Sequence, residues 1–183
     1  MRIIAGSARS RLILAPQGQD TRPTLDRVRE SLFSILLPHT RGAKVLDLFA
    51  GSGALALEAL SRGAEFALMV DSDRQAHQAE KSNVQALGFE KNARVVLMDW
   101  RQALLNVAPE YAPFDLVFLD PPYRMTDLAE VGEALKKVIS ADALIVLEHD
   151  EKAEPAFSPA YERVDRRKYG KAGISFCRLK EDV

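Results

Sequence analysis

The chain has 183 residues, 47% hydrophobic and 28% charged, which fits one compact domain and excludes a disordered or low-complexity polymer. Its single cysteine, Cys177, cannot form an internal disulfide and reads as a small buried hydrophobe. No apolar run approaches the ~20 residues of a membrane helix, and no long apolar core follows the basic N-terminal residues as in a signal peptide, so a cytoplasmic protein is expected.

The net charge of −1 hides an asymmetry. Residues 1–41 carry seven Lys/Arg against three Asp/Glu, and residues 160–180 carry seven against two. Residues 42–159 carry eleven against nineteen. Basic ends around an acidic middle suggest a polyanion met by the ends, although solvated surface charge gives the same count.

In chain order, "MRIIAGSARSRLIL" reads as a small hairpin. "TLDRVRESLFSIL" reads as an amphipathic helix that Thr24 can cap, with Leu25, Val28, Leu32 and Ile35 on one face. From residue 42 strand and helix alternate. "AKVLDLF" is a strand, and "GALALEALSRG" is a helix stopping at Gly63. "FALMVD" is a strand, followed by a helix opened by Ser72 or Asp73 and closed at Gly88. "ARVVLMD" is a third strand, with a short helix near "WRQALLNV". "FDLVFLD" is a fourth, "TDLAEVGEALKKVI" a helix, and "ALIVLEH" a fifth strand. The tail reads as two antiparallel strands around a turn at Gly170–Gly173. This alternation predicts a mostly parallel, seven-stranded α/β sheet with helices on both faces and an antiparallel C-terminal hairpin.

The turn "DLFAGSGALALEAL" sets Gly51 and Gly53 between the first strand and its helix. Glycines there let the backbone approach a ligand beside a helix N-terminus. Asp71 and Asp99 end the second and third strands, with Ser72 and Trp100 beside them. Each acid could be only a helix cap, but together with the glycines they make a nucleoside-binding crevice at the strand ends. The spacing also satisfies G-x-G-x-x-G/A with Ala56 third, so a dinucleotide remains open on the motif. Asp47, just before the glycines, makes the crevice acidic. That suits S-adenosylmethionine, which carries a sulfonium and an ammonium. Asp71 is then expected at the ribose hydroxyls and Asp99 at the adenine amine, with Trp100 as a stacking wall. No metal site is expected.

The fourth strand ends in Asp120-Pro121-Pro122-Tyr123. Prolines lack an N–H and fix φ, so the chain turns stiffly there and its carbonyls are not consumed by a helix ladder. Asp120 offers a carboxylate acceptor, Pro121 a rigid carbonyl, and Tyr123 a stacking face. Two acceptors and a π-platform fit an exocyclic amine on a planar base.

With these residues in hand, "DPPY" after "DLFAGSG" resembles the class I methyltransferases that modify exocyclic amines of nucleobases. More narrowly, "RIIAGSARSRLIL", "TRPTLDRVRESLFSIL", "VLDLFAGSGALALEALSRGA" and "FDLVFLDPPY" together resemble the bacterial 16S rRNA guanine-N2 methyltransferase family of the RsmD type. The resemblance covers nearly the whole chain and is weakest from about residue 150. It implies a single Rossmann-like domain, with residues 1–41 as an extension and 42–183 as the core. It implies S-adenosylmethionine as cofactor, with Gly51 and Gly53 at its methionine part, Asp47 at its ammonium, Asp71 at the ribose and Asp99 at the adenine. Arg22 and Thr24 would close over it, and Asp120 to Tyr123 would hold a flipped guanine. Many family members have Asn where this chain has Asp120, which leaves open whether Asp120 also takes up the released proton.

The implied substrate is small-subunit rRNA, within a ribosomal subunit or an assembly intermediate. Arg2, Arg9, Arg11, Arg166, Arg167 and Lys168 become candidates for phosphate contacts. Three alternatives remain: an adenine-N6 methyltransferase acting on DNA or RNA, a non-catalytic RNA-binding module, and an NAD-dependent oxidoreductase. The first usually carries a separate target-recognition region, for which the chain has no room. The intact Asp-Pro-Pro-Tyr and glycines argue against the second. The third gives no reason for the Pro-Pro corner.

Overall fold

Four of the five parallel strands alternate their side chains between two buried faces, and that period of two organises the molecule. The computed structural model describes residues 1–16, 23–122, 124–125 and 127–181, without the side chains of 23–25. In chain order the elements are α1 (Pro23–Ile35), α2 (Leu37–Thr40), β1 (Lys44–Asp47), α3 (Ala54–Ser61), β2 (Phe66–Asp71), α4 (Arg74–Leu87) and β3 (Ala93–Leu97). They continue with α5 (Trp100–Asn106), α6 (Ala108–Tyr111), β4 (Phe114–Leu119), α7 (Leu128–Leu135), β5 (Ile139–Asp150), β6 (Tyr161–Tyr169) and β7 (Ala172–Leu179).

The sheet order is β3-β2-β1-β4-β5-β7-β6. β1 to β5 are mutually parallel, and β7 runs antiparallel to both β5 and β6. Strand order therefore reverses between β1 and β4, and a crevice opens at the carboxyl ends of such a pair. Val45, Met69, Phe118 and Val146 point to the face covered by α1, α3 and α4. Leu46, Val70, Val117 and Leu147 point to the other, against α5 and α7. Burial on both faces explains why these strands read as continuous apolar runs rather than alternating ones.

Local signals set the boundaries. α3 stops as expected at Gly63: its N–H donates to Leu60 O and that of Ala64 to Ala59 O, both at 3.0 Å. The positive φ of 98° at Gly63 is the conformation this C-terminal motif requires. α4 is capped by Asp73, whose carboxylate accepts from the N–H groups of Gln75 and Ala76; Ser72 is not the cap. α1 begins at Pro23, so Thr24 lies inside the first turn instead of capping it. The helix expected over "TDLAEVGEALKKVI" ends at Leu135, and β5 starts already at Ile139, pairing Phe114 before a register shift brings Leu144 beside Leu116.

The expected N-terminal hairpin reduces to one antiparallel bridge, Arg2 with Leu12. Side chains of the core take the backbone groups that a longer ladder would use. Glu58 accepts from the N–H groups of Ile4 at 2.8 Å and Ala5 at 3.0 Å. Ser61 accepts from Ala8 N–H at 2.9 Å and donates to Ala5 O at 2.6 Å. Asn83 accepts from Leu14 N–H at 2.7 Å. The segment thus lies flat on α3 and α4, with Ile3 and Ile13 in the core.

Candidate active site

A crevice of about 530 Å³ opens over the strand ends at the β1/β4 switch point. Its walls come from the sheet (Asp47, Asp71, Asp120, Glu148), the glycine turn (Gly51, Ser52), the Pro121–Pro122 corner and α1 (Val28, Arg29, Leu32). The four acids have one structural origin. Each is the next residue in phase after an apolar side chain on the α1/α3/α4 face: Val45, Met69, Phe118 and Val146. The same alternation that buries those four carries the acids to one side of the sheet just where the strands run out.

Asp47 is 2% exposed, and its Oδ2 has no hydrogen-bond partner. Burial raises its carboxyl to about 8. The Ala56 N–H at the start of α3 opposes that shift, and the charges of Asp120 and Asp71 add to it. Behind it, Glu80 on α4 is fully buried with both oxygens unpartnered, and burial, with Asp47 and Asp71 nearby, raises it to about 9. Asp71 is anchored on both oxygens: Oδ2 accepts from Gly51 N–H and Oδ1 from Asp73 N–H, each at 2.9 Å. Asp120 is exposed in the crevice, and desolvation by the protein around it raises its carboxyl. Burial, and then the charge of Asp120, raise that of Glu148. Among the described side chains of the wall, the basic one that faces these acids is Arg29. It is buried among its own partners, Asp26 at 3.0 Å and Glu58 at 3.6 Å.

The structure brings together Asp47, Gly51, Asp71, Ser72, Asp120, Pro121 and Pro122 on this crevice. Gly53 stands behind it. It begins α3 at φ 74°, and a Cβ there would lie 2.8 Å from Met69 Sδ, so glycine lets the helix close on β2. Asp99 and Trp100 are not in the wall. Asp99 caps α5, accepting from Arg101 N–H at 2.9 Å. Trp100 is buried with the α5/α7 face, and the Arg101 guanidinium lies 4.3 Å from its ring centre. The Pro122 carbonyl accepts from Met125 N–H at 2.8 Å, closing a turn, so it is no longer a free acceptor; no such bond is made by Pro121 among the described residues. Tyr123, Arg22 and the Thr24 side chain lie outside the described residues.

Sequence reasoning missed Glu148 and Arg29. Glu148 had the same signal as the other acids, since it ends the apolar run "ALIVLE" in phase with it. Arg29 carries no local signal; its position follows from the packing of α1.

The basic residues lie outside the crevice wall, in the N-terminal segment and the β6–β7 hairpin. Arg29 donates to the Arg2 carbonyl, and Ser31 Oγ meets the Tyr169 hydroxyl at 2.9 Å, so α1 touches both the N-terminal segment and the β6–β7 turn. Arg2, Arg9 and Arg11 are exposed, and Arg11 donates to the Ala86 carbonyl. The tail cluster is largely neutralised: Arg166 donates to the Glu151 carbonyl at 2.8 Å and lies 3.5 Å from Glu154, Arg167 pairs with Asp165 at 2.8 Å, and Lys168 pairs with Glu151 at 3.1 Å.

Known proteins share these features. Residues 1–178 match the family model described as Conserved hypothetical protein 95. The ribosomal RNA small subunit methyltransferase D of Escherichia coli is 41% identical over 152 residues, covering 82% of this chain and 75% of that protein. The solved structure of Escherichia coli yhhF aligns over 98% of each chain at 34% identity with a TM-score of 0.85. SMU.776, solved in complex with SAH, is 15% identical over 85% of this chain and 49% of its own, with a TM-score of 0.70, and shares the fold. With its matching family model and a relative of this identity and coverage, the chain belongs to the family of the ribosomal RNA small subunit methyltransferase D proteins.

Proposed function

We propose that this rRNA methyltransferase transfers the methyl group of S-adenosylmethionine to the exocyclic N2 amine of a guanine in small-subunit rRNA. The observation that carries the reading is that the Asp120–Pro121–Pro122 corner and the unpartnered buried Oδ2 of Asp47 open on one crevice. A cation is the ligand such a carboxylate lacks, and S-adenosylmethionine is doubly cationic in its amino and sulfonium groups. When bound, it supplies an electrophilic methyl group.

The chain's own residues do the rest. Asp47 receives the ammonium, and Asp71, already fixed by Gly51 and Asp73, turns its remaining lone pairs to the ribose hydroxyls. Asp99 is two residues past β3's carboxyl end, and the adenine amine is its assignment, made while it caps α5. Arg22 and Thr24 close the N-terminal side. Asp120 and the Pro121 carbonyl accept the two N–H groups of the target amine, which pulls its lone pair out of conjugation and toward the methyl. Tyr123 stacks on the ring. The amine sheds one proton as it gains the methyl, and the carboxylates of the crevice wall are the acceptors. A base in folded RNA must be unstacked to reach this depth, and a loop costs least to open.

Arg2, Arg9 and Arg11, with the β6–β7 turn, provide the phosphate-facing rim. A ribosomal particle supplies the shape of the substrate, and the reaction takes place in the cytoplasm.

The test is to incubate the protein with labelled S-adenosylmethionine and small-subunit rRNA, naked or in subunits, from a strain lacking it. N2-methylguanosine at one position is the expected product. N6-methyladenosine would establish the adenine alternative instead.

A further inference from the structure

A second, smaller cavity of about 130 Å³ lies behind the Pro-Pro corner, lined by Met125, Leu128, His149, Ala153 and Pro155 among others. Three residues line both it and the large crevice: Pro121, Pro122 and Glu148. Glu148 is one residue past the paired Leu119 and Leu147, so it stands beside Asp120 at the same level of the sheet. Among the described residues neither carboxylate has a hydrogen-bond or ion-pair partner. Two adjacent free acceptors at the junction of two cavities fit a ligand with two adjacent donors.

We infer that Glu148 is a specificity-determining residue, accepting the N1–H of the target guanine while Asp120 accepts from its N2 amine. The inference rests on the guanine reading above. Guanine presents N1–H and N2–H₂ side by side. Adenine presents its amine beside N1, which is an acceptor there, so a carboxylate at Glu148 repels it. The amine corner alone cannot make this distinction, because Asp120 and Pro121 meet an –NH₂ group in both bases. Glu148 supplies the missing discrimination from the neighbouring strand. Enclosure by protein raises both carboxyls, so each gains from an N–H that satisfies it.

The test compares two substrates on two variants. The substrate that the wild-type protein accepts is prepared with guanosine or with 2-aminopurine riboside at the methylated position. The analogue keeps the N2 amine but has a lone pair at N1. Wild-type protein should favour guanine in kcat/KM. Glu148→Gln, whose amide can turn its N–H toward that lone pair, should lower the guanine preference roughly tenfold or more. Glu148→Asp, which keeps the charge, should hold the preference high even where its rate falls. S-adenosylmethionine affinity, read by calorimetry, should be unchanged in both. A preference equal to wild type in Glu148→Gln, or an equal loss on both substrates in both variants, overturns the inference. A wild-type product other than N2-methylguanosine overturns the guanine reading itself, and the inference with it.

Discussion

The carboxylate of Asp71 holds the backbone of Gly51: Oδ2 accepts the Gly51 N–H at 2.9 Å across 20 residues of chain. With Oδ1 occupied by Asp73 N–H, one side chain fixes both the glycine turn and the start of α4. Asp71→Ala should therefore act twice, weakening S-adenosylmethionine binding by ~1–3 kcal/mol and lowering stability by about 1 kcal/mol. Asp71→Asn, with one acceptor oxygen instead of two, should fall between. Calorimetry and denaturant midpoints separate the two effects, and unchanged cofactor affinity in Asp71→Ala would remove this residue from the site.

Stability should depend on pH through Asp47. Its carboxyl titrates at about 8 in the folded chain against an ordinary 3.8, so between these values the folded state holds the extra proton. What the neutral carboxyl contributes is fully present below 3.8 and is gone once the pH has passed 8. Glu80 acts in the same sense, with a carboxyl raised to about 9. Asp47→Asn should stabilise the unliganded protein at high pH by roughly 1–3 kcal/mol while weakening S-adenosylmethionine binding. Urea denaturation from pH 5 to 9 measures the first, and a variant curve parallel to wild type would contradict it.

Asp120→Ala should lose most methyl transfer and keep cofactor binding, because its partner is the target amine. Asp120→Asn should retain substantial activity, because its amide oxygen still accepts an N–H. Tyr123→Phe should be mild and Tyr123→Ala severe, as stacking needs the ring. Single-turnover assays decide. Asp120→Asn as inactive as Asp120→Ala would make that carboxylate the base.

The ion pairs of the β6–β7 hairpin divide the basic residues into two groups. Arg2→Ala and Arg9→Ala should weaken RNA binding and lower its salt slope by about 1 each. Arg167→Ala, whose charge Asp165 already meets at 2.8 Å, should change the slope less. Salt titrations of binding to rRNA check this, and equal slopes for all variants would make the basic ends ordinary surface.

Gly6 packs where a Cβ would come within 1.8 Å of the Ser61 carbonyl oxygen. Gly6→Ala should lift residues 1–14 from α3, cost more than 2 kcal/mol, and expose the segment to protease. Limited proteolysis and a thermal melt read both, and wild-type resistance would show that the segment can reseat.

The order of strands and helices was legible because burial on both faces wrote itself as apolar runs punctuated by Gly and Asp. The site was half legible. Asp47, Asp71 and Asp120 stand out as acids ending strands, but the same signal at Asp99 reports a helix cap as well. Glu148 was overlooked because its strand continues past it to Asp150. Nothing local marks Trp100 as buried on the far face; that follows from where α5 docks. The N-terminal segment is the small antiparallel hairpin the sequence suggested, but it stays short because Glu58, Ser61 and Asn83, from helices 50 and more residues away, take its other backbone groups, which no local pattern shows.

Asn83 is fully enclosed, and its amide does more than hold the segment. One N–H goes to the Leu14 carbonyl and another to the Ser52 carbonyl, each at 2.9 Å. The outer arm and the glycine loop of the crevice are therefore clasped by a single residue. If RNA bound to the arm changes cofactor affinity through this clasp, linkage requires the cofactor to change RNA affinity by the same factor. Cofactor affinity measured with and without RNA gives the size of that reciprocity, and Asn83→Ala should abolish it.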